Sequence, residues 1–167
     1  MIHERLHLLA QMKPQWTQRL ERLLDASARL ADTIPEPSLR GIHKDFHAGQ
    51  IIVDGARIYL IDFDDYCEGD PALDFGSLLG HLTKQSLLTF GTPDGLGEQE
   101  KAMTESFLQL SGQTTCTTIS AYKTLKLMRS IYQYLSTGVP EQCQLAEAVL
   151  ELCEQRLDLE HRYPKTA

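Results

Sequence analysis

The stretch GIHKDFHAGQIIVDGARIYLIDFDDYCEGDPALDFG, residues 41–76, decides how this chain is read. Two apolar, β-branched runs, IIVD and ARIYLIDF, flank Asp54-Gly55. That dipeptide in that setting is a strong hairpin signal, because a tight type I′ turn needs positive φ at both central positions. The pattern predicts strands at about 50–53 and 56–62. With Asp54 and Gly55 as the two turn residues, Val53 pairs with Ala56 and Gln50 stands opposite Tyr59. Extending the ladder brings Asp62 near His47.

The same stretch holds His43, Asp45, His47, Asp62, Asp64, Asp65, Asp70 and Asp74. Charged residues are rarely buried without a partner, so this density beside apolar strands calls for a chemical reason. Paired strands lie ~4.8 Å apart, so the hairpin alone carries Asp62 close to the 45–50 loop. An amide oxygen from Gln50 and a carboxylate from Asp62 suit one hard cation. Magnesium takes oxygen ligands and is usually held by one or two carboxylates together with substrate phosphates. Asp45 is then placed to accept a proton from an attacking hydroxyl. Phosphoryl transfer of the kinase type needs this layout: a base and an amide ligand on one loop, and a second aspartate after a hairpin. In the protein-kinase pattern the amide follows the base by five residues. Gln50 likewise follows Asp45 by five, and Asp62 follows it by 17.

The order H-x-D-x-H-x-x-[NQ], hairpin, I-D-F-[DE], G-D-P-A-x-D resembles the aminoglycoside phosphotransferase and choline kinase family. The resemblance covers about 36 residues, 41–76. It implies Asp45 as catalytic base, Asp62 as principal magnesium ligand, and Asp74 as a brace on the backbone of the catalytic loop. ATP and Mg2+ are the implied cofactors, and a small-molecule hydroxyl is the implied acceptor. Gln50 stands where asparagine is commoner, and its extra methylene moves the amide oxygen by ~1.5 Å. Lys44 replaces the frequent glycine of H-G-D, which a solvent-directed side chain would tolerate. His43 reads as a packed histidine that orients the loop, and Asp64 either as a helper for metal or substrate or as a surface turn residue. His47 has no evident partner, which leaves solvent or substrate contact open. Asp70, before Pro71, suits a helix cap. Asp74-Phe75-Gly76 spells the protein-kinase metal motif, yet it lies 29 residues after Asp45 at a helix start, so Asp62 is preferred as ligand.

Outward from this segment the pattern is helical. Leu6, Leu9, Leu20, Leu23, Leu24, Ala28 and Leu30 recur at helical spacing over 3–32, with Pro14 as an interruption. TIPEPSLRG, residues 33–41, reads as a linker. Helices are expected from Pro71 and over about 98–111, 116–137 and 141–160, with a turn-rich 89–97. Tyr122, Leu125, Met128, Tyr132 and Leu135 form a helical stripe of core type. The expected fold class is α+β, mostly helical: one domain over 1–167 like the C-terminal lobe of protein kinases, with a β-hairpin carrying the catalytic and metal loops. Such a kinase also needs a nucleotide-binding lobe with a covering loop and a strand-borne lysine. Upstream of Asp45 there is no G-x-G-x-x-G, and Lys13 and Lys44 are the only lysines. A missing or separate N-terminal lobe is therefore an expected partner, with weak ATP affinity and little turnover for this chain alone.

Composition narrows the alternatives. A net charge of -7 and a pI near 5.3 argue against a general nucleic-acid binder. The four cysteines form no CxxC pair, which suits reduced thiols in a cytoplasmic protein. No apolar run approaches the ~18 residues of a membrane span, so no membrane partner is expected. H-K-D-F-H also raises a metal-dependent hydrolase, but His81 and His161 supply no matching ligand spacing. A non-catalytic binding or regulatory module on the same scaffold is the other alternative.

Overall fold

Pro14 cannot donate the N–H that a continuing helix requires, and the first helical pattern breaks there. In the computed structural model, which describes residues 8–112 and 114–162 and side chains through Leu157, residues 8–12 are helical. A 3₁₀ turn, Pro14–Trp16, follows and leads into α1, Thr17–Asp32. The part of the predicted first helix before residue 8 lies outside the described residues. Next come β1 (Arg40–Ile42), a 3₁₀ turn (Ala48–Gln50), β2 (Ile51–Asp54), β3 (Arg57–Leu60) and β4 (Cys67–Gly69). Four helices complete the chain: α2 (Pro71–Phe90), α3 (Gly97–Ser111), α4 (Cys116–Leu135) and α5 (Pro140–Arg162). The protein is mostly helical, with two antiparallel two-stranded sheets, β1–β4 and β2–β3.

The chain divides into two units. One comprises the segment up to Thr33 together with the segment from Thr124 onward. There Leu20, Leu23 and Leu30 of α1, Met128, Ile131 and Leu135 of α4, and Val149, Leu150 and Cys153 of α5 are buried. Arg19 makes a two-pronged hydrogen bond to Glu154, and this pairing raises the pKa of its guanidinium. The other unit is Ile34–Lys123 and contains all four strands. Its core is Ala72, Phe75, Leu78, Leu79 and Ile119, with Phe46 and Phe107 packed against it.

α2 anchors that second unit. Asp70 caps it by accepting the Ala72 N–H at 2.9 Å, and Pro71 fills a first-turn position whose N–H has no helical partner. Gly91, at φ 72°, ends it in the left-handed region that favours glycine. A Cβ on Gly76 would stand 2.9 Å from the backbone nitrogen of Lys123, so this glycine allows α2 and α4 to approach closely. The literal DFG is thereby accounted for by packing: Phe75 stacks on Phe107 at 4.2 Å, and Gly76 makes that close approach.

All four cysteines are free thiols. Among the described residues no helix is long and apolar enough to cross a membrane. Burial pushes the Cys153 thiol up from 9.0 to about 12. Burial, helped by the Asp70 carboxylate, raises the Tyr122 phenol from 10.0 to about 12. Both groups ionise more readily in the unfolded chain, which binds fewer protons there, so stability falls as pH rises. The contribution of Cys153 is complete below pH 9.0 and is lost toward about 12. Urea midpoints followed against pH are expected to decline above 9.0, and in Cys153→Ala that decline should begin only near 10.0, where the phenol takes over.

Candidate active site

β1 is short, but it is tied down at the point where the loop leaves it. The Asp74 carboxylate, in the first turns of α2, accepts the backbone N–H of His43 at 2.6 Å and of Lys44 at 2.7 Å. Two charge-assisted bonds from one carboxylate fix the loop immediately before Asp45. Asp74→Ala leaves the part-buried His43 N–H without its acceptor and the exposed Lys44 N–H to water, and is expected to lower stability by about 2 kcal/mol, read from thermal melts. His43 is buried, and its Nε2 lies 2.8 Å from the Ile61 carbonyl oxygen. To make that bond Nε2 carries the proton, which joins the β1 loop to the far end of the hairpin. Its ring packs against Phe46 and Phe63.

Lys44 has φ 72° and Asp62 has φ 65°; both are left-handed positions held by residues other than glycine. Backbone strain of this kind clusters at functional sites. It also gives the physical reason that glycine suits the position of Lys44. The Lys44 ammonium lies 3.5 Å from Asp65, with both side chains more than half exposed, so this pair contributes little. Lys44→Gly should therefore raise stability by about 0.5–1 kcal/mol, the relief of left-handed strain less the added freedom of the unfolded chain. Urea midpoints of the two proteins measure it.

The hairpin forms where expected, but two residues out of the expected register. Ile51 pairs with Leu60, Ile52 with Tyr59, Val53 with Ile58 and Asp54 with Arg57. The turn residues are Gly55 and Ala56, not Asp54 and Gly55. Only Gly55, at φ 58°, is left-handed, the requirement of a type II′ turn. A shift of two keeps every side chain on its face, since strand side chains repeat with period two. Gln50 belongs to the 3₁₀ turn before β2 and not to the strand, and Asp62 lies just past β3. The Ile61 N–H donates to the Gln50 carbonyl at 3.1 Å, so Asp62 arrives beside Gln50 rather than beside His47. Gln50 Nε2 then donates to Asp62 Oδ2 at 2.8 Å.

Asp45 is exposed on the same loop, between the segment held by Asp74 and the turn that ends in Gln50. Asp64 is exposed in the bend after Phe63. Among the described residues no group of three or more His, Cys, Asp or Glu side chains could hold a metal ion. A carboxylate and a neighbouring amide, both hard donors, suit magnesium that takes its remaining ligands from water and phosphate. The amide nitrogen of Gln50 now faces Asp62, so a half-turn of the amide is needed to present Oε1 beside the carboxylate.

Two short strands escaped the sequence reading. β1 begins at the end of the expected linker and β4 lies between the hairpin and the helix expected from Pro71; they pair Ile42 with Cys67 and Arg40 with Gly69. Each has three residues and a glycine, too little for a period-two signal.

Two solved structures are similar in fold. A thermostable mutant of aminoglycoside phosphotransferase APH(4)-Ia in its apo form matches with a TM-score of 0.62 at 19% identity, over 92% of this chain. A further thermostable mutant, in a ternary complex with AMP-PNP and hygromycin B, matches with a TM-score of 0.61 at 19% identity, over 91% of this chain. The chain spans 47% of the length of each, about half. The fold is therefore that of the aminoglycoside phosphotransferases, a kinase-like fold. A search of curated proteins finds no significant match. Residues 3–104 match the phosphotransferase enzyme family, and the chain belongs to that family.

Proposed function

We propose that the chain is the catalytic lobe of an ATP-dependent phosphotransferase that moves the γ-phosphoryl group to a hydroxyl of a small molecule. The observation that carries this is the 2.8 Å contact between Gln50 and Asp62, made beside a loop whose backbone Asp74 fixes just before Asp45. Asp45 accepts the hydroxyl proton as the acceptor oxygen bonds to phosphorus and the bridge to ADP breaks. Asp62 and Gln50 would hold Mg2+, which when bound offsets the charge on the phosphates. His43 and Asp74 keep the loop in place. Asp64 is a candidate for a further contact to metal or substrate. An amine-bearing sugar or amino alcohol would suit an acidic chain of net charge -7.

The nucleotide-covering half is assigned to a strand-rich lobe, on the same polypeptide or a separate one. In support, this chain spans 47% of its structural relatives, and Val53 and Ile58 of the hairpin are 68% and 71% exposed. Isothermal titration calorimetry with Mg2+ and AMP-PNP tests the proposal, on the chain alone and with a strand-rich lobe supplied. Weak binding that strengthens with the lobe is expected. Robust turnover by the 167-residue chain alone would overturn the need for a second lobe. Failure to bind nucleotide in either format would overturn the kinase assignment in favour of an interaction module.

A further inference from the structure

We propose that His47 is a positioning residue, whose ring holds the short turn that presents Gln50 to Asp62; this rests on the magnesium role assigned above to that pair. The turn Ala48–Gln50 has three residues, too few to fix its own geometry. The Ile51 N–H donates to the Ala48 carbonyl at its end, and His47 supplies the two bonds at its start. Its Nδ1 accepts the Gly49 N–H at 3.1 Å, and its carbonyl accepts the Gln50 N–H at 2.9 Å. A neutral ring that accepts at Nδ1 carries its proton on Nε2, so the bond also selects the tautomer.

Caps of this kind are normally Ser, Thr, Asp or Asn, whose small side chains need no further support. An imidazole does need it, and two neighbours provide it. His81 of α2 stacks on the His47 ring at a centroid distance of 4.6 Å and an angle of 30°. Gly49 leaves room for it: a Cβ there would lie 2.9 Å from Cε1 and 3.0 Å from Nδ1. Gly49 is thus required by the ring and not by its own φ, which is not in the positive range. Through His47, the helix whose first turns brace the start of the loop at Asp74 also braces its end.

The test uses the full chain and three variants. Asparagine places its Oδ1 the same number of bonds from the backbone as Nδ1, so His47→Asn keeps an acceptor without the ring, whereas His47→Ala removes both. In Gly49→Ala the added methyl displaces the ring. Amide exchange at residue 49, read by NMR, reports the cap; Mn2+ affinity, read by water-proton relaxation, reports the Gln50–Asp62 pair. His47→Ala and Gly49→Ala are expected to accelerate exchange at residue 49 about tenfold and to weaken Mn2+ about tenfold, with His47→Asn recovering most of both. Imidazole nitrogen shifts should show the Nε2–H tautomer at His47 in the unaltered chain. Unchanged exchange in both His47→Ala and Gly49→Ala would overturn the cap. Mn2+ affinity unchanged in both, while the unaltered chain binds the ion, would overturn the positioning role. An unaltered chain that binds no Mn2+ would instead overturn the magnesium assignment, and the positioning role with it. If His47→Ala does not fold, Gly49→Ala against His47→Asn gives the same decision.

Discussion

Replacing Asp45 by asparagine is expected to lower kcat for phosphoryl transfer by about 10²–10⁴-fold, the usual contribution of a positioned general base. Nucleotide affinity should be unchanged, because Asp45 is assigned to the acceptor hydroxyl and not to the metal. Asparagine keeps the shape of the side chain and removes its basicity. The measurement is a steady-state comparison in the assembly that turns over, with calorimetry alongside. A matched loss in kcat and kcat/KM marks an interaction made only in the transition state. A variant that lost nucleotide binding and kept kcat would assign Asp45 to the metal instead.

Asp62→Asn should act on the other limb. Asparagine tolerates the left-handed backbone that Asp62 adopts at φ 65°, and its amide oxygen still accepts from Gln50. The fold is therefore expected to survive while the charge is lost. A metal contact of several kcal/mol corresponds to a loss of about 100-fold or more in magnesium-dependent nucleotide affinity. Calorimetry with and without Mg2+ separates this from a general binding defect. Affinity equal to that of the unaltered protein would show that Asp62 is not the ligand.

The approach of Asp62 to the 45–50 loop could be read from residues 41–76 because it is local. A hairpin needs no distant information to return Asp62 to the loop it left. The register differs from the expected one because Asp54-Gly55 admits two turn types, and the sequence does not say which residue takes the positive φ. The difference is harmless to the faces, since a slip of two restores them, but it moves Asp62 from His47 to Gln50. The left-handed backbone at Lys44 was not visible, since lysine carries no mark of a strained φ. His47 went unassigned for a related reason. Its acceptor role depends on a stacking partner, His81, that lies 34 residues away on α2. β1 and β4 were too short to announce themselves, although Asp74 can reach the loop only because β1 delivers it there.

The β2–β3 hairpin is, in mechanical terms, a cantilever. Its root is clamped by the Gln50–Ile61, Gln50–Asp62 and His43–Ile61 bonds, and its tip at Gly55 has no atom within 4 Å of where a side chain would begin. Bending at a free end is damped toward the clamp. Insertions or tags at the tip should thus leave the chemistry intact, whereas a one-atom change at the root is transmitted in full. The candidate site sits at the clamped end of the arm, which makes the open tip the natural place for an attached probe.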